Sequence, residues 1–414
     1  MKQFLTLIAA GLCQLTNAQW QLSSYYPDQA ADLFAVNADT VVIADGGGRL
    51  VRTFDGGGTW SAFQTAFVNS WFLAVDFPSP SIGYACGGTA FGEHKVCIVK
   101  TTDGGVTWDS LTANAYAGYE FRDIHFVDDT TGFVAGDVFT GLMKTTDGGI
   151  GFFPIGSGSP PVQAIEFIND QIGFVSTWYY QGGGFAVTTI QRTDDQGASW
   201  MPVYTDTMTN ITGLNHRRIN TIHFVDALNG YAVGGNGTFL RTTDGGMTWI
   251  ASTIAPGSSD LTALWFTSPM VGYINIAGTI SRTEDGGTTW TIQAMLPVAL
   301  AQKVMMVDEN TGYMITTTEV YKTVNGGANT IGEHPFGQGL SVYPNPASDR
   351  LYIRGPGIGL TGRLAVVNAI GQVVLIAPYG SEPIDVSLLP AGLYTLLAQD
   401  RQGVMREAFI VARP

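Results

Sequence analysis

The sequence predicts an all-β chain: a seven-bladed β-propeller followed by a small C-terminal β-sandwich of immunoglobulin-like type. Three observations predict it. A Thr-x-Asp-Gly-Gly box recurs seven times from Asp55 to Asn325, five times intact, once with Gln196 for the first Gly and once with Asn325 for the Asp, with a mean period of 45 residues. That period belongs to propeller blades. Glycine makes up 53 of 414 residues and only 13% are charged, which suits short strands and tight turns rather than long amphipathic helices. Residues 340–414 abandon the repeat and read as short alternating strands punctuated by Pro and Gly.

The chain opens with Lys2, an apolar run from Phe4 to Leu12 and a small residue, Ala18. This pattern predicts a signal peptide over residues 1–18, cleaved before Gln19, and the run is too short to span a bilayer. A lipoprotein reading of Cys13 is disfavoured by Leu12, where a small residue is expected. No later stretch reaches the length of a membrane helix, so the mature chain is expected to be exported without a transmembrane segment.

Residues 19–331 carry the repeat. The box acids are Asp55, Asp103, Asp147, Asp195, Asp244 and Asp285, followed five places on by Trp60, Trp108, Phe152, Trp200, Trp249 and Trp290. Gly-Gly supplies positive φ for a hairpin turn, and the carboxylate accepts from the turn's own N–H groups. The aromatic ring packs at the hairpin's base. A second motif precedes six of the boxes: an aliphatic residue, then Gly eight places later, then an aromatic. Examples are Val75, Gly83, Tyr84 and Ile165, Gly173, Phe174. This reads as strand, turn, strand, giving four strands per repeat.

The box resembles the Asp-box of sialidases, sortilin-type receptors and some glycoside hydrolases. The full repeat most resembles the photosystem II stability/assembly factor family of propellers, over roughly residues 30–330. The resemblance implies the fold and a structural role for the box aspartates, away from the active face. The seventh box lacks its aromatic, with Thr330 in its place, whereas Trp20 to Tyr25 reads as a fourth strand without a box. The leading segment is therefore expected to complete the seventh blade and close the ring.

Residues 332–339 read as a linker. The module after it opens with Tyr343-Pro344-Asn345-Pro346 and carries Leu389-Pro390-Ala391-Gly392-Leu393-Tyr394. It resembles the type A C-terminal sorting domain of the type IX secretion system. The resemblance implies handling by that machinery, export across an outer membrane, and release or attachment at the cell surface.

Net charge is −14, and the C-terminal module is slightly basic, so the acid is concentrated in the propeller. That argues against a nucleic-acid partner. Cys86 and Cys97 fall on neighbouring strands and leave open a disulfide or two buried thiols. His94, His125, His216, His223 and His334 have no metal-ligand spacing, so neither a metal nor a cofactor is expected. No Gly-x-Ser-x-Gly elbow or His-Glu-x-x-His motif appears. Outside the boxes the propeller's arginines are Arg49, Arg122, Arg217 and Arg218, a thin set for a sialidase carboxylate clamp.

Departures from the repeat mark the ligand candidates. From turn Gly to box acid is 13 residues in the last two blades but 22 in the fourth, where Trp178, Tyr179 and Tyr180 are inserted. The following connection is also long and ends in His216, Arg217 and Arg218. Aromatics beside basic groups suit a sugar ring or a peptide with an acidic group. The plainer reading is a solvated loop packed on its blade. A second variable position, Asp76, His125, Glu166, His223, Trp265 and Met305, should face the central channel, as a site or as satisfied core polar groups. The expected function is a monomeric binding module for a glycan or protein ligand. The alternative is a glycoside hydrolase, which needs two facing carboxylates.

Overall fold

The computed structural model describes residues 20–413 except 24, 26, 28, 69, 90–95, 112–119, 137–140, 156–159, 183–184, 209–216, 255–259, 277, 296–300, 328–340, 355–362, 369–372, 379–382 and 400–403. The predicted signal peptide and linker therefore lie outside the described residues.

Among the described residues, seven four-stranded antiparallel sheets form the propeller. Their inner strands are Asp32–Ala35, Ser70–Asp76, Phe121–Phe126, Val162–Phe167, Ile219–Phe224, Leu264–Phe266 and Ala301–Met306. Each packs against the inner strand of the next blade, and the last meets the first, so the ring is closed. The seventh sheet is completed from the chain's other end. Gln21 pairs with Lys322 and Leu22 with Tyr321. Trp20 is buried and meets Tyr273 edge-on at 6.2 Å, in the manner of Trp249 on Phe174 in the fifth blade. It supplies the aromatic that the seventh box lacks.

The eight-residue motif has a steric cause. The residue closing each inner strand lies flat over the turn glycine, and a Cβ on Gly173 would sit 2.5 Å from the Phe167 ring. Gly132 and Gly230 meet Phe126 and Phe224 in the same way. The aromatic that follows glycine then stacks on the next blade: Tyr84 on Phe126 at 3.6 Å, Phe174 on Phe224 at 4.5 Å and Tyr231 on Phe266 at 3.4 Å. These contacts form the apolar seams between blades.

The box turns bind themselves. Thr53 donates to Asp55 at 2.8 Å, Thr193 to Asp195 at 2.7 Å and Thr323 to Asn325 at 2.9 Å. The Thr59 N–H and the Thr59 and Thr53 hydroxyls hold the Asp55 carboxyl down to about 2. The basic residue ahead of several boxes reaches across the seam rather than bracing its own strand. Lys144 donates to the Gln196 carbonyl at 2.9 Å, and Lys322 to Gly56 at 2.8 Å, which ties the seventh box to the first.

Cys86 and Cys97 are free and buried. Cys86 stands opposite Ile98 in the pairing, so Cys97 is one residue out of step and faces the other side of its sheet. Cys86 packs toward the third blade and Cys97 toward the first, which decides for two thiols.

The C-terminal module has a three-stranded and a four-stranded sheet. Val342, Leu351 and Ile384 from one share a core with Leu364, Leu396 and Phe409 from the other. Both motifs of this module do structural work. Asn345 accepts from the Ile410 N–H at 2.9 Å, and the Tyr394 hydroxyl donates to the Pro390 carbonyl at 2.8 Å.

Candidate functional site

The inner strands enclose a central cavity of about 980 Å³ lined by residues from all seven blades. Five of these strands carry a β-bulge, at Phe72/Ala74, Phe121/Asp123, Val162/Ala164, Ile219/Thr221 and Ala301/Lys303. A bulge brings an extra residue to one side of a strand. Arg122 and Asp123, and likewise Gln302 and Lys303, therefore both line the channel.

Among the described residues, inner strands of adjacent blades are not paired in a ladder. Their side chains bridge them instead, in an unbroken belt. Asp32 accepts from the Val75 N–H at 3.0 Å, Asp76 from Phe126 at 2.6 Å, Asp123 from Ile165 at 2.7 Å and Glu166 from Phe224 at 3.2 Å. His223 Nε2 meets the Phe266 carbonyl at 3.0 Å, and Thr262 donates to Ala301 at 2.6 Å. The belt closes where the Ala35 N–H donates to Met305 Sδ at 3.2 Å.

Burial dominates the electrostatics. It pushes the Asp76 and Asp123 carboxyls up to about 7 and Glu166 up to about 8. It pulls His125 and His223 down to about 4, so both imidazoles are neutral at pH 7. Lys303 stays charged. Burial opposes its charge, but Asp32 at 3.2 Å and the nearby Asp123 override that and raise its pKa. Lys303 and Glu166 keep 32% and 20% of their side-chain surface open to the cavity, so these groups are shielded from bulk solvent without being sealed in.

The fourth-blade insertion is not a loose loop. Trp178, Tyr179 and Tyr180 continue the strand Gly173–Gly182, opposite Thr188, Val187 and Ala186. Tyr180 is exposed, while Trp178 and Tyr179 are half-buried. His216 lies outside the described residues. Arg217 and Arg218 are held by carboxylates of this chain, Asp206 at 3.0 Å and Asp260 at 3.4 Å. None of these described residues is in the channel lining, so the insertion and the cavity are separate features.

The variable position does line the cavity in all six blades where it was read. Sequence reasoning missed Asp32, Asp123 and Lys303. The last two stand two residues before His125 and Met305, so strand alternation alone puts them on the channel side. The signal that finds them is that alternation, read two places back from His125 and Met305.

Residues 211–333 match the family described as photosynthesis system II assembly factor YCF48, and residues 341–412 match the secretion system C-terminal sorting domain. No curated protein matches the chain in sequence. Among solved structures, YCF48 bound to D1 peptide is similar at TM-score 0.56 and 15% identity, covering 74% of this chain and 94% of that one. YCF48 from Cyanidioschyzon merolae is similar at 0.55 and 16%, covering 73% and 98%. A GH74 xyloglucanase from Xanthomonas campestris is similar at 0.54 and 13%, covering 95% and 74%. The chain therefore joins a YCF48-like propeller domain to a type IX secretion sorting domain, which marks it for export and attachment at the cell surface.

Proposed function

We propose that the protein is an exported binding module, with residues 19–331 acting as a monomeric propeller that takes a protein or glycan ligand on the face bearing the blade-to-blade connections. The observation that carries this reading is the belt. Asp76, Asp123 and Glu166 are each committed to a neighbouring blade's N–H, which fits carboxyls that hold the ring together rather than a pair free to perform chemistry. The similar YCF48 structure holds a peptide, which favours a protein segment as ligand. In this reading the half-buried Trp178 and Tyr179 and the exposed Tyr180 offer stacking surface, and Arg217 and Arg218, at the end of the connection into the fifth blade, offer positive charge. Peptide and glycan arrays probed with the mature chain test this. Saturable binding weakened about tenfold by Tyr180→Ala or Arg217→Ala supports it. Binding indifferent to both removes the fourth blade from the reading.

A second reading is glycoside hydrolysis. Favouring it are a chain-long likeness to a xyloglucanase and carboxyls of raised pKa that share one cavity with Asp32. Turnover of xyloglucan or related glucans, abolished by Glu166→Gln, would establish this reading over binding alone.

A further inference from the structure

The charges in the channel do not balance. Asp32, Asp76, Asp123 and Glu166 come from four consecutive blades and stand in one cavity. Among the described lining residues, Lys303 is the lysine that answers them, and it is bound to Asp32 at 3.2 Å. Arg122 is turned to Glu120 at 2.9 Å and to Gln163 at 3.1 Å. His125 lies against Phe167, and His223 against Trp265 at 4.2 Å. The sixth inner strand contributes Trp265 and no titratable group. Asp308, beyond the seventh inner strand, accepts from its own turn at Thr311 and stands beside Glu309 at the cavity's edge. Asp76, Asp123 and Glu166 thus have N–H donors and share the field of Lys303 with Asp32, and Glu166 also faces His223 Nδ1 at 3.8 Å, an imidazole that burial keeps neutral at pH 7. Three further negative charges in a chamber whose one ammonium is already engaged by Asp32 repel each other, and the uncharged acids are favoured.

We propose that the central channel is a pH-operated charge switch, in which Asp76, Asp123 and Glu166, crowded into one chamber around an ammonium already engaged by Asp32, gain and lose protons and so turn the chamber between near-neutral and anionic. Burial of the three groups, which raises all of them to about 7 or 8, supports this. The backbone does not have to move, because each bridging oxygen accepts the same N–H in either state. Above neutrality the chamber draws cations, and below it the field vanishes. The switch shares its cavity with one possible ligand route, yet its first test involves no ligand.

Infrared difference spectra of the full chain, titrated across neutrality, should show a protonated-carboxyl band that is lost as pH rises. About one third of that band should be missing in each of Asp76→Asn, Asp123→Asn and Glu166→Gln. A band already absent at pH about 6, or unchanged in all three variants, overturns the proposal. Where a variant does not fold, proton counting on the wild-type chain decides. Excess protons bound by the folded over the urea-unfolded chain at neutrality are expected, and no excess overturns the switch. The outward consequence is read with n-butylammonium. Affinity about tenfold higher above neutrality than below supports it, and equal affinity or no binding at either pH overturns the cation-drawing half.

Discussion

The indole of Trp20 stands edge-on to the ring of Tyr273, 6.2 Å between centroids, and through this pair the start of the described chain is locked into the far side of the ring. Removing the indole should open a cavity between the sixth and seventh blades. Trp20→Ala is expected to cost about 3 kcal/mol, read as a lowered urea midpoint. A midpoint within error of wild type would mean that the leading segment is ornamental.

A second tie crosses the next seam, between the seventh and first blades, at the channel. Lys303→Met leaves Asp32 without its ammonium and should destabilise the chain by about 3 kcal/mol. Asp32→Asn in the same chain should recover part of that loss. A double-mutant cycle checks it, and simple additivity of the two changes would show the pair uncoupled.

The turn glycines make a steric prediction. Gly230→Ala would place a methyl 2.6 Å from the Phe224 ring and should cost about 2 kcal/mol. Phe224→Leu should relieve the clash while losing the stack with Phe174. Thermal unfolding of the three variants tests it: if the double variant is less stable than Gly230→Ala alone by the full Phe224→Leu cost, the clash is not the cause.

Stability should fall as pH rises through neutrality. The unfolded chain ionises Asp76, Asp123 and Glu166 in the ordinary carboxylate range, whereas the folded chain keeps their protons to about 7 or 8. The folded state thus binds more protons across that window, and stability drops with rising pH. His125 and His223 act the other way below 6.5, because the folded chain holds them neutral down to about 4. The two trends oppose each other under acid conditions, and only the carboxyl loss remains above 6.5. Urea midpoints across pH should trace this slope, and Asp76→Asn should flatten it. A flat wild-type profile would contradict it.

Much of this architecture was readable in advance because the repeat is steric. Gly173 cannot carry a Cβ under Phe167, and Thr193 must reach Asp195, so the residue types recur at fixed spacing. Ring closure was readable because Trp20 has no box of its own and Thr330 leaves an aromatic place vacant. The channel was only half readable. Asp76 and Glu166 follow directly on the repeat's aliphatic residue, whereas Asp123 and Lys303 stand just ahead of theirs, outside the eight-residue spacing that marks the repeat. The fourth-blade insertion was located correctly but took a different form, because Trp178 to Tyr180 found strand partners in Ala186 to Thr188.

The pairing of Gln21 and Leu22 with Tyr321 and Lys322 also sets a timetable for biogenesis. A ribosome must finish nearly the whole ring before the opening strand has anywhere to go. Until then that strand is a loose end, searching over a long loop, and such closure is slow. Whatever carries the nascent chain to the envelope must keep its two ends apart from other copies until they find each other.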